Sequence, residues 1–86
     1  DGLLARSTEG LIVLPGAAGT VQEIFQAATP NYYTTATPAP IVLVNRDHWT
    51  RQLPAWPLLR ALGSGRAMAD RIHLVDTVEE AAAVFT

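Results

Sequence analysis

The chain has 86 residues, 49% hydrophobic and only 16% charged, with a formal net charge of −2. It has no cysteine, which excludes disulfides and thiolate metal sites. All six of its basic residues are arginine, and without lysine it holds no anchor for a Schiff base, a pyridoxal phosphate or a Walker-type phosphate site within these residues.

The slightly acidic balance argues against a general electrostatic grip on nucleic acid. No apolar run nears the roughly 20 residues of a membrane helix, and no segment has the charged, apolar and cleavage regions of a secretory signal. These features predict a soluble, cytoplasmic segment that neither crosses nor binds a membrane. Residues 1–86 read as a single segment. Because the chain opens at Asp1 without an initiator Met and reaches its first strong strand within ten residues, it is expected to be part of a larger domain.

The first strand is predicted at Leu11 to Leu14, and a glycine-bearing turn leads from it straight into a helix. Val21, Ile24, Phe25 and Ala28 recur at helical spacing, with Gln22, Glu23 and Gln26 on a more polar side, and Pro30 is expected to stop the helix. From Asn31 to Ala39 the segment NYYTTATPA reads as a loop, with Tyr32 and Tyr33 folding back onto apolar surface and the loop placed to cover a site. The second strand is Ile41 to Val44, ending at Asn45. The next helix is expected near Pro57, which suits a first helical position, and Gly63 and Gly65 end it. A short helical piece at Ala67 to Arg71 leads to a third strand, Ile72 to Val75. Asp76 is then expected to cap a last helix from Thr77 to Phe85, with Glu79 closing a capping box. The alternation βαβαβα implies an α/β fold, with a parallel sheet, right-handed crossovers and helices on its faces.

Chemistry concentrates in LIVLPGAAGTVQE, Leu11 to Glu23. A helix N-terminus offers unpaired N–H groups and the positive end of the macrodipole, so small residues there make room for a phosphate. In a parallel sheet, ligands sit beyond the carboxyl ends of the strands, where this turn places Gly16, Gly19 and Thr20. Thr20 suits an anion as a hydroxyl donor, and Glu23 follows one helical turn later on the same face. Thr20 to Glu23 also reads as a capping box in which both side chains satisfy backbone amides. Spacing alone leaves the two readings open.

The stretch LPGAAGTVQE resembles the PGGxGTxxE signature of the LOG family, once widely labelled lysine decarboxylases. The likeness extends to the strand ending at Asn45, the helix near Leu58 to Leu62 and the closing IHLVDTVEEAAAVF, nearly the whole chain. The resemblance implies the C-terminal βαβαβα portion of a Rossmann-like parallel sheet, with helices on both faces and further strands upstream of Asp1. Members of that family are nucleotide phosphoribohydrolases. The implied reaction is hydrolysis of the N-glycosidic bond of an AMP-like nucleoside 5′-monophosphate to free base and ribose 5-phosphate, with no cofactor and no metal.

By the same resemblance, Gly16, Ala17, Ala18, Gly19 and Thr20 would hold the phosphate and Glu23 would be the catalytic carboxylate, on the ribose side. The alternative is a nucleotide-binding or sensing domain without turnover. Two departures stand out. Ala17 replaces the second glycine, adding a methyl that disfavours positive φ. The arginine that family members pair with the acidic residue falls near or before Asp1, with Arg6 the nearest candidate here. The long loop, the AATPNYY stretch and Ala17 resemble the larger bacterial nucleotide-binding members.

The remaining residues have structural readings. Asn45, Arg46 and Asp47 suit a turn with a solvated ion pair, or a cleft lining. His48, near Trp49, suits stacking on a base or a structural role, and both His48 and His73 lack the partners of a metal site. Trp49, Trp56, Tyr32 and Tyr33 suit packing under loops, a nucleobase wall or a subunit contact. Asp76 is assigned a cap and no chemistry. An incomplete parallel sheet leaves edges and apolar faces to cover, so a homodimer or higher homo-oligomer is expected.

Overall fold

A computed structural model describes residues 3–7, 10–34 and 37–85. The side chain of Arg6 lies outside the described parts, as do Thr35 and Ala36 of the predicted loop. The three expected strands are present as β2 (Gly10–Val13), β3 (Ile41–Val44) and β4 (Ile72–Val75). They run parallel, with Leu11 beside Ile41, Ile41 beside Ile72 and Val44 beside Val75. A strand that the apolar pattern does not announce, β1 (Leu3–Ser7), adds antiparallel to β2, so the sheet order is β1-β2-β3-β4.

Alternation along the strands sorts side chains to two faces. Leu11, Val13, Ile41, Leu43 and Ile72 pack with Ile24 and Ala28 of α1 (Ala18–Tyr33) and with Ala55 and Leu59 of α2 (Ala55–Gly63). Val42 and Val44 face the other way, onto Ala81 of α3 (Val78–Ala83). Helices therefore cover both faces of a Rossmann-like α/β sheet. Each fully buried Ile or Leu side chain, such as Ile24, Leu43 or Leu59, contributes about 1.5–3 kcal/mol by leaving water.

Helix boundaries depart from expectation for identifiable reasons. α1 opens at Ala18 and passes through Pro30 to Tyr33 rather than stopping there. Proline removes one backbone bond, but only three residues follow it, and tertiary contacts hold them. Tyr32 packs against the core, Arg66 Nη1 donates to the Tyr32 carbonyl at 3.1 Å, and the Arg66 guanidinium lies 3.6 Å over the Tyr32 ring.

α2 starts two residues before Pro57, which still falls in the first turn, where a missing N–H costs nothing. Gly63 ends it, and Gly65, at φ +76°, carries the chain into a 3-10 turn at Ala67–Arg71. At α3 the capping box sits one residue later than expected. Thr77 Oγ1 accepts from Glu80 N at 3.1 Å, while Glu80 Oε1 accepts from Thr77 N at 3.1 Å. Asp76 is not the cap because its carboxylate is taken by Arg46.

Candidate functional site

The ladder of β2 ends at Val13, and the chain turns through Leu14 to Ala17 before α1 begins. The first helical bond is Val21 N to Ala17 O, at 3.0 Å. The amides of Ala18 and Gly19 therefore precede the helical ladder, beyond the carboxyl end of a parallel strand. Ala17, Ala18 and Gly19 are exposed, Gly16 and Glu23 are half-buried, and Thr20 is only 3% exposed.

The geometry of the turn bears on the capping reading and on Ala17. Thr20 is the third residue of α1 and not its cap; the cap is Ala17, which makes no side-chain capping bond, so Thr20 and Glu23 do not form a capping box at the helix start. Ala17 is unstrained at φ −119°, and among the described residues positive φ occurs only at Gly10, Asn45 and Gly65. The methyl in place of the second glycine therefore requires no forbidden backbone. Gly19 lacks a side chain for no internal reason, since a Cβ built there meets nothing within 4 Å.

The turn after β3 reaches the same region. Asn45, at φ +86°, donates its amide to Val75 O at 2.8 Å and accepts from His48 N at 3.2 Å through Oδ1. This places His48 at the start of a π-helical turn, His48–Gln52, with its ring edge-on to Trp49 at 4.6 Å. The ring extends to the glycine turn, where Nε2 lies 2.8 Å from Gly16 O and 3.3 Å from Gly16 N. Sequence reasoning gave His48 a structural role without a partner, because the contact spans 32 residues and exists only once β2 and β3 are paired.

Other candidates lie elsewhere or are occupied. Arg46 and Asp47 are in solvated ion pairs, but each with a residue outside their own turn, Arg46 with Asp76 and Asp47 with Arg51. Trp49 is fully buried in the core, with no hydrogen-bond partner for Nε1 among the described residues. Tyr32 and Tyr33 cannot cover the glycine turn, because they sit at the far end of α1, roughly 20 Å away at 1.5 Å per residue. They border a cavity of about 440 Å³ between α1 and α2, lined also by Phe25, Leu62 and Met68 and by no residue of the turn. His73, on β4, has its pKa lowered by burial and by the nearby Arg71. Among the described residues no three potential metal ligands converge, and no helix is long and apolar enough to cross a membrane.

A sequence model of the protein family described as "possible lysine decarboxylase" matches residues 2–86. No curated protein and no solved structure matches the chain.

Proposed function

The chain belongs to the family described as possible lysine decarboxylases, the same group as the LOG proteins its glycine turn resembles, and from that membership we propose that it carries the phosphate end of a nucleotide phosphoribohydrolase site. In this reading the turn from Gly16 through Ala17, Ala18 and Gly19 to Thr20 receives the 5′-phosphate of an AMP-like nucleotide. The open space at Gly19, beside amides that precede the helical ladder, is the observation that carries it. Backbone donors and the helix dipole supply the attraction without a lysine.

Glu23, one turn into α1, faces the ribose. Water adds at C1′ as the C1′–N bond breaks, the base leaves with a proton, and the carboxylate stabilises the positive charge that develops on the sugar. A carboxylate held by a helix does this without reorienting as charge builds. Decarboxylation through pyridoxal phosphate finds no lysine to carry the cofactor within these residues.

The test is to incubate the full-length protein with AMP, GMP and CMP and follow the free base by chromatography. Release of base and ribose 5-phosphate is expected. Binding of AMP with no release would identify a sensing module, and neither binding nor release would end the nucleotide reading. The protein is further proposed to act in the cytoplasm and to form a homodimer or higher homo-oligomer, the latter because edge strand β4 leaves Leu74 and Val75 only partly buried.

A further inference from the structure

We infer that His48 is a positioning residue of the glycine turn: a proton on Nε2 anchors the Gly16 peptide by its carbonyl and so sets the turn from the next βα unit. The inference rests on the phosphate reading of the turn.

One ring nitrogen lies within hydrogen-bond reach of both polar groups of the same residue, 2.8 Å from Gly16 O and 3.3 Å from Gly16 N. It cannot serve both at once. Bonding to the carbonyl needs a proton on Nε2, whereas bonding to the amide needs a bare lone pair there. The shorter contact falls within the usual range for N–H···O and the longer one at its margin, so the geometry favours donation to the carbonyl.

Gly16 and Ala17 open the turn without a side-chain bond of their own, since Gly16 has no side chain and the cap residue Ala17 makes none to the helix start. The anchor comes from the next βα turn. The His48 ring is fixed there by the bond from its own amide to Asn45 Oδ1 and by the edge contact with buried Trp49. Asn45 is fixed in turn by Val75 of the neighbouring strand. An anion approaching the turn therefore meets a peptide set by the β3–β4 side of the sheet. His48 touches no substrate in this account and acts through Gly16.

The experiment uses the full-length protein with two substitutions. His48→Gln keeps an N–H donor at about the reach of Nε2, while His48→Met keeps the bulk and loses the donor. AMP binding is measured by calorimetry, KM and kcat by steady-state kinetics, and the wild-type tautomer by ¹⁵N spectroscopy of the imidazole.

The expected result is a wild-type ring protonated on Nε2 and His48→Gln within about threefold of wild type. For His48→Met, AMP affinity and KM are expected to worsen about tenfold while kcat changes far less. A neutral ring carrying its proton on Nδ1, or His48→Met binding AMP as tightly as wild type, would overturn the inference and leave the phosphate site standing. If wild type itself neither binds nor cleaves AMP, the reading of the turn falls and the inference falls with it. Should His48→Met fail to fold, a folded His48→Gln that has lost AMP affinity would overturn the inference and one that keeps it would support it.

Discussion

Arg46 and Asp76 join the carboxyl ends of β3 and β4, with Arg46 Nε 3.1 Å from Asp76 Oδ2 and the Arg46 amide donating to Asp76 Oδ1 at 3.2 Å. The pair bridges the two turns that follow neighbouring strands, and its side chains are 56% and 59% exposed. Solvent at that exposure screens most of the attraction. Asp76→Ala is therefore expected to lower unfolding stability by less than about 1 kcal/mol in urea titration, and a loss of several would show that the pair holds the turn in place.

Gly19 offers a test in which stability and binding move in opposite directions. Glycine is a poor helix former, and a methyl here meets no atom within 4 Å. Gly19→Ala is expected to stabilise the fold by about 0.5–1 kcal/mol. On the phosphate reading the same methyl occupies the anion's path and weakens AMP binding about tenfold. Unchanged affinity would place the phosphate elsewhere.

Glu23→Gln preserves shape and removes charge. If the carboxylate acts on the developing positive charge of the sugar, kcat falls by about a hundredfold or more while AMP affinity changes little. Equal losses in both would assign Glu23 to ground-state binding instead.

Trp49 is wholly buried with its indole N–H unpaired among the described residues. Trp49→Phe gives up packed volume but also removes a buried donor whose isolation costs about 1–3 kcal/mol. The two effects oppose each other, so thermal unfolding is expected to shift by only a few degrees. A large loss of stability would show that the indole N–H has a partner.

His73 titrates below its ordinary value near 6.5, through burial and then the charge of Arg71. The unfolded chain therefore binds its proton more readily than the folded one, and stability rises with pH across the interval between the two values. The contribution is complete above about pH 6.5 and fades as pH falls through the folded value. Melting curves between about pH 7.5 and 5 should show a decline in wild type that is smaller in His73→Gln. An identical decline in both would assign the acid sensitivity to other groups.

The three parallel strands were legible because Ile, Val and Leu cluster in short runs that suit a strand buried on both faces. β1 was not, since Leu3–Ser7 reads LLARS, too brief and mixed to show a period, and it owes its strand to pairing with β2. The glycine turn was found from its residue types and position. Thr20 has the composition of a cap but lies three residues past the actual one, Ala17, which caps the helix without a side-chain bond. Pro30 and Asp76 misled for the same kind of reason, since contacts with Arg66 near one and Arg46 at the other outweighed local preference. The approach of His48 to Gly16 had no local signal at all, because it depends on which strands become neighbours.

Strand order and chain order coincide in this sheet. Every strand therefore docks beside the one made just before it, and no segment must be threaded between partners already joined. The chain can grow by accretion from the β1–β2 hairpin, each later strand reaching its place through one helical crossover. Such a chain is suited to assembling in the direction of its own synthesis.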